Sequence, residues 1–350
     1  MPDEDAARSD ESSDDIGRLR MGACLSLSGE YARFGRQARL GLDVWREWHG
    51  AVEVIVEDDR SDPLVMEAAL RRLAGRCDVL LGPYSTRLMR RAGRVAAALD
   101  RLVWNHGGSG DDVQAAHPGH VVSVPTPASR YAEPFVRHIT AVAGVRLLVI
   151  VQGKGSFGRQ VAEGAEGVAR SLGVPTVRLG PGDDLSGEGS WNLFCAGSFE
   201  EDVEVVRRSR AAPNPPEATC AVAAGVREFG QAVEHPAGIY GVGQWFPGRG
   251  GEAEIGIGEA GFVGAYRARS GQIPDYLAAQ AAAAAAIAVH CAELAGGTER
   301  SQLWSAACSL ETTTLFGPFS IDARSGVQVG HVGTLVRWDA DGPAAVQPRA

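Results

Sequence analysis

Three short loops hold the residues best suited to chemistry. The apolar run Val79-Leu80-Leu81 leads into Gly82-Pro83-Tyr84-Ser85-Thr86. A second run ends in Asn105-His106-Gly107-Gly108-Ser109-Gly110, and a third, residues 146–151, opens into Gly153-Lys154-Gly155-Ser156-Phe157-Gly158. Small and hydroxyl-bearing residues at the carboxyl ends of strands mark where open α/β sheets bind ligands. Such loops offer many backbone N–H groups and few reactive side chains, so they hold a small polar molecule rather than transform it. Ser85, Thr86 and Ser109 are candidate contacts, because hydroxyls and free N–H groups at helix N-termini bind carboxylates or amide oxygens. The same residues also suit plain N-caps. Tyr84, Phe157 and Trp245 are candidate apolar walls. Lys154, the only lysine in the chain, suits either a solvated loop or an anionic ligand.

Other chemistries lack their parts. Gly153-x-Gly155-x-x-Gly158 has the form of a dinucleotide fingerprint. The acid expected at the end of the next strand is replaced by Arg178-Leu179-Gly180. An NAD(P) oxidoreductase is therefore a distant alternative. His106-Gly107-Gly108 resembles an esterase oxyanion loop, yet the chain contains no G-x-S-x-G nucleophile elbow. The six cysteines are widely spaced, without a CxxC pair, and read as free buried thiols rather than zinc ligands. No catalytic residue, metal ligand or cofactor is assigned.

The elements that must carry these loops alternate. Strands are expected at 21–27, 52–57, 79–81, 102–104, 147–151, 176–179, 191–196 and 220–223. Helices are expected at 35–48, 63–73, 86–99, 131–143, 158–172, 200–208 and 275–294. This alternation means βαβ units and parallel sheets, and their number divides better into two doubly wound lobes than one sheet. Pro125 and Pro127 mark a first crossing between lobes. After Gly317, short strands around Ala323-Arg324-Ser325-Gly326 form a C-terminal β-hairpin signature.

The formal charge of −9 is partly local: residues 1–18 hold seven acids against two arginines. That acidic end reads as a solvated, disordered tail. No basic concentration resembles a nucleic-acid footprint. No basic-then-apolar leader is visible, and residues 278–289 are too short and Ala-rich for a membrane span.

Taken in order, several further motifs carry a resemblance. Leu27-Ser28-Gly29-Glu30-Tyr31-x-x-Phe34-Gly35 is followed by Gly41. Then come Glu57-Asp58-Asp59, Phe262-x-x-x-Tyr266-x-x-x-x-Gly271-x-x-Pro274-Asp275-Tyr276-x-Ala278-Ala279, Phe316-Gly317-Pro318-Phe319 and Gly330-His331. From Arg20 to Trp338 the chain resembles the type I periplasmic-binding-protein superfamily, in its leucine/isoleucine/valine-binding branch, which includes amide and urea receptors. The resemblance implies two Rossmann-like lobes joined by three crossings, closing without catalysis around an amino acid, amide, urea or small carboxylate. It divides the chain into an acidic tail (1–19), a first lobe (20–125 plus 266–318), a second lobe (126–265 plus 319–340) and a tail (341–350). It implies ligand contacts at Tyr84, Ser85, Thr86, Gly107, Gly108, Ser109, Phe157, Ser198 and Phe199. Gln244 and Trp245 match a loop that often carries a Glu for a ligand ammonium. That loop is neutral here, so Glu200 or Glu201 would have to substitute. The run Ala281–Ala286 replaces the usual Tyr of the long helix and is expected to reshape that side of the cleft. An ABC permease is the partner usual in the family. Because no leader is visible, a cytoplasmic ligand-sensing regulator of the amide-receptor type, acting on a regulatory protein, is the alternative. A homodimer is left open.

Overall fold

The computed structural model describes residues 18–185 and 189–347. The first lobe runs β1 (Leu19–Leu25), α1 (Ala32–His49), β2 (Val52–Asp58), α2 (Pro63–Ala74), β3 (Val79–Leu81), α3 (Thr86–Ala98), β4 (Val103–Asn105) and β5 (Val121–Ser123). Its sheet has the order β2-β1-β3-β4-β5, with every pair parallel. β3 and β4 are fully buried, as parallel strands covered on both faces should be. The second lobe runs α4 (Glu133–Ala143), β6 (Leu147–Gln152), α5 (Gly155–Ser171), β7 (Thr176–Leu179), β8 (Trp191–Ala196), α6 (Phe199–Ala211), β9 (Ala218–Ala221), α7 (Phe229–Ala232) and β10 (Tyr240–Gly243).

The chain then returns to the first lobe through α8 (Glu259–Ser270), α9 (Tyr276–Ala295), α10 (Arg300–Ser309), β11 (Thr312–Thr314) and β12 (Gly317–Phe319). It ends in the second with β13 (Thr334–Asp339) and β14 (Gly342–Ala345). The second sheet has the order β14-β13-β10-β9-β8-β6-β7, with β13 and β14 antiparallel. α9 is the one helix among the described residues long and apolar enough to cross a membrane, and 83% of its apolar window is buried inside the fold. Gly41 lets α1 approach α9 closely: a Cβ there would stand 2.2 Å from the Ala278 carbonyl oxygen.

Four boundaries differ from the sequence reading. Trp245, Ile257 and Phe262 pack in the same core as α1 and α9, so the second crossing follows β10 directly and residues 245–265 belong with the first lobe. Phe319 and Ile321 also pack there, while Leu335 packs in the second core, so the third crossing lies between them, beyond 318. Residues 341–350 are not simply a tail, because β14 pairs with β13 through Val336–Ala345 to Asp339–Gly342. That pairing is the C-terminal hairpin; the turn at 323–326 closes only the single bridge Ile321–Gln328. Of the acidic segment 1–19, residues 1–17 lie outside the described residues, and Leu19 already opens β1.

Candidate functional site

The strand-end loops of both lobes face one another across a cleft of about 400 Å³. On the first lobe, Ser85 caps α3 with φ +84°. That left-handed backbone is costly for a residue with a Cβ and clusters at functional sites. It is held because the Ser85 N–H donates to Gly107 O (3.2 Å) and its carbonyl accepts from Met89 (3.0 Å). Ser85 Oγ accepts from the Leu88 N–H at 3.3 Å, which leaves the first-turn N–H groups of Thr86 and Arg87 for a cleft acceptor. Asn105 shapes the neighbouring loop. Its Oδ1 accepts from Gly107 (3.1 Å) and Gly108 (2.7 Å), and its Nδ2 donates to Gly108 O and Ser123 Oγ, both at 2.7 Å. Gly107 is required by close approach, since a Cβ there would meet Tyr84 Cδ2 at 2.7 Å.

On the second lobe, Ser198 and Glu201 form a capping box at α6: Glu201 N–H donates to Ser198 Oγ at 3.3 Å and Ser198 N–H to Glu201 Oε2 at 2.9 Å. Glu201 Oε1 also accepts from Lys154 N–H at 3.1 Å. Asp202, buried beneath, joins two cleft loops by accepting from Gly197 (2.8 Å) and Ala223 (2.9 Å). Burial pushes its carboxyl up to about 7.

The walls are aromatic. Tyr84 packs on Phe34 (4.7 Å between centroids) and Tyr31 (5.7 Å), and Tyr131 meets Phe157 edge-on at 5.6 Å. Tyr276 completes this wall and shares a hydrogen bond with Tyr84; burial pushes both phenols up, so both stay protonated at neutral pH. Gln280, one turn along α9, lines the cleft and is 1% exposed, with Oε1 lacking a partner among the described residues.

Two polar straps join the lobes beside the cleft. Arg33 of α1 reaches Glu200 (2.6 Å) and Glu228 (3.7 Å) and lies over the Phe199 ring at 4.3 Å. Asp275, ahead of α9, accepts from Arg227 N–H at 3.1 Å and pairs with its Nε at 3.6 Å.

Of the residues expected at the site, Tyr84, Ser85, Thr86, Gly107, Ser109, Phe157, Ser198 and Phe199 line the cleft. Gly108, Gln244 and Trp245 do not. Gly108 is turned inward by Asn105. Gln244 points into the crossings, where Thr126 N–H donates to its Oε1 at 2.7 Å. Trp245, 2% exposed, belongs to the first core. Glu200 and Glu201 do line the cleft, but Arg33 and the capping box already engage them. The Ala281–Ala286 run is buried in the first core, and the aromatic contribution of α9 comes from its head, at Tyr276. Tyr31, Arg33, Tyr131, Tyr276 and Gln280 were not singled out as contacts. Tyr31 and Tyr276 stood within recognised motifs, which was the available signal.

The glycine fingerprint has a packing role. A Cβ on Gly153 would stand 2.4 Å from Gly197 Cα, and one on Gly158 would stand 2.6 Å from Ala196 O. Glu201 takes the N-cap amide of α5, where a pyrophosphate would need to sit.

This architecture is that of the type I periplasmic binding proteins: two α/β lobes, three crossings and a cleft built from strand-end loops. Residues 18–184 match the family described as periplasmic binding protein. A leucine-binding protein from Thermotoga maritima aligns over 94% of this chain and 98% of its own, with TM-score 0.79 and 14% identity. A branched-chain amino acid substrate-binding protein from Streptococcus pneumoniae, in complex with isoleucine, aligns over 95% and 100%, with TM-score 0.75 and 15% identity. A solute-binding protein from R. palustris, in complex with 4-hydroxybenzoate, aligns over 94% and 96%, with TM-score 0.78 and 14% identity. No curated protein sequence matches the chain.

Proposed function

We propose that this chain is a non-enzymatic solute-binding protein that closes its lobes around a small organic carboxylate with an apolar or aromatic body. The observation that carries the reading is the composition of the interlobe cleft: hydroxyls and free N–H groups at the head of α3, faced by aromatic rings, with the inner carboxylates already engaged. Glu200 is bound to Arg33, Glu201 to two backbone N–H groups, and Asp202 to two more. A ligand ammonium would compete for each of them. Lys154 lines the cleft without an ion pair among the described residues and supplies a positive charge, opposed at the rim by the exposed Glu30 beside Tyr31. The unpartnered Gln280 Oε1 favours a ligand that also carries a hydrogen-bond donor, which a hydroxyl would supply. The cleft volume of about 400 Å³ suits a small molecule; similar structures hold 4-hydroxybenzoate and isoleucine alike, so the choice of class rests on the cleft lining. In this reading the closed form is presented to an ABC permease.

A thermal-shift panel of benzoates, aliphatic acids, amides, ureas, amino acids and NAD(P) tests it. Saturable stabilisation is expected with acids, about 2.7 kcal/mol at a hundredfold excess over Kd, and is expected to weaken in Ser85→Ala. Shifts confined to NAD(P) would overturn it.

A further inference from the structure

We propose that Gln244, outside the cleft wall, is a positioning residue: it sets the polarity of the Ser109–Tyr131 hydroxyl pair so that the pair donates to a ligand oxygen. The proposal rests on the cleft being the solute site.

The Gln244 amide can point only one way. Thr126 N–H is solely a donor and lies 2.7 Å from Oε1, so Nε2 must face the other side. There it donates to Ser109 Oγ at 3.1 Å and to Tyr131 OH; the Thr126 carbonyl, at 3.4 Å, is a weaker third contact. The two hydroxyls are themselves bonded at 2.6 Å, which uses one of their two hydrogens. Since both accept from Gln244, one O–H hydrogen remains with no acceptor among the described residues. Ser109 and Tyr131 both line the cleft, so that hydrogen is offered to whatever the cleft holds. It selects a carboxylate or carbonyl oxygen and disfavours a group that can only donate.

The same contacts tie the site to all three crossings. Thr126 lies on the first, Gln244 on the second and His331 on the third. Thr126 Oγ1 bonds His331 Nδ1 at 2.5 Å, and His331 Nε2 bonds the Phe316 carbonyl at 3.0 Å. A carbonyl requires an N–H, so Nε2 carries the proton and Nδ1 accepts from the Thr126 hydroxyl. Backbone groups at the crossings therefore fix the Gln244 amide and the His331 tautomer, while either hydroxyl of the Ser109–Tyr131 pair can be the donor within it.

The test titrates benzoate and neutral benzamide into wild type, Gln244→Glu and Gln244→Met. Gln244→Glu keeps the shape but replaces the donating Nε2 by a second acceptor, which captures the spare hydrogen. Both probes should weaken about 10-fold or more at pH 8 and recover as the introduced carboxyl protonates towards pH 5. Asp202 beneath the cleft loops and Asp111 beside Tyr131, both pushed up by burial, are common to all three proteins. The Gln244→Glu loss is therefore read as its ratio to wild type at each pH, and Gln244→Met should show a ratio independent of pH. Loss for benzamide separates donor polarity from simple charge repulsion. A purely structural role predicts equal weakening at both pH values, and that result, or unchanged binding by Gln244→Glu, overturns the proposal. Should Gln244→Glu not fold, the hydrogen count is read from Ser109→Ala and Tyr131→Phe. Each single variant leaves one free hydroxyl hydrogen, so each should lose only a few-fold, and the double variant about 10-fold more than their product. Additive losses overturn the count. If wild type binds neither these probes nor any member of the solute panel, the cleft reading itself fails, and the Gln244 proposal with it.

Discussion

Replacing Arg33 by Ala should weaken ligand binding without unfolding either lobe. Arg33 belongs to α1 of the first lobe, but its partners Glu200, Glu228 and Phe199 lie on the second. Its contact with Phe34 stays within one lobe and does not change on opening. The Glu200 carboxylate is 70% exposed, so this pair contributes about 0.2–1 kcal/mol after screening. The guanidinium over Phe199 adds about 0.5–1 kcal/mol, and the longer Glu228 contact adds little. Closure thus loses about 1–2 kcal/mol, which moves the open–closed equilibrium about 5- to 30-fold. If the closed form is the tight-binding one, apparent affinity falls by up to that factor, with the change mainly in the dissociation rate. Stopped-flow binding at low and high salt, with scattering to follow compaction, measures this directly. The wild-type dissociation rate should rise with salt more steeply than the variant's, which keeps the Asp275–Arg227 strap. Unaltered dissociation in Arg33→Ala, or equal salt dependence in both proteins, would refute the assignment of Arg33 as an interlobe strap.

The Ser85 backbone separates stability from binding. Ser85→Gly should fold at least as stably as wild type, because glycine tolerates φ +84° and costs only a few tenths of a kcal/mol as a cap, whereas Ser85→Ala should lose about 1 kcal/mol; both should bind more weakly, and denaturant melts with titrations check each part. Gly107→Ala should destabilise by about 1–3 kcal/mol, since its Cβ would press on Tyr84; a melting point equal to wild type would contradict the close approach. Asp202 titrates near 7 in the fold against an ordinary 3.8. The folded chain therefore binds the extra proton between these values, and wild-type stability declines there as pH rises. Relative to wild type, Asp202→Asn should gain by up to about 4 kcal/mol from pH 4 to pH 7 and then level off. Urea melts across that range test it, and a difference moving the other way would contradict the buried carboxyl.

What the sequence disclosed depended on how local the determining contacts were. β3, β7 and β8 stand at their expected bounds because each is a short run ended by turn or cap residues. The strand Val121–Ser123 was missed: it has three residues between Gly119-His120 and Pro125, too few for a period. Tyr240–Gly243 has glycine at two of four positions, and α8 lacks a side-chain cap. The boundary at 265 failed because Phe262 and Tyr266 bury against helices that chain order does not place beside them. At the site, Ser85, Thr86 and Ser109 could be read from loop chemistry, since strand end and helix start are adjacent in the chain. Gln244 was misread for the opposite reason. Its loop is where such a fold binds ligands, but its side chain answers to Thr126, 118 residues away. Tyr276 and Tyr84 likewise form one wall from distant segments.

The central claim is that the cleft binds a small carboxylate and leaves it unchanged. Calorimetric titration of purified protein with the best acid from the panel, followed by recovery and mass analysis of that acid, tests it most directly. The account predicts one equivalent bound, weaker binding of the matched amino acid, and quantitative return of the intact acid. Tighter binding of the amino acid, or recovery of a chemically altered product, would contradict it.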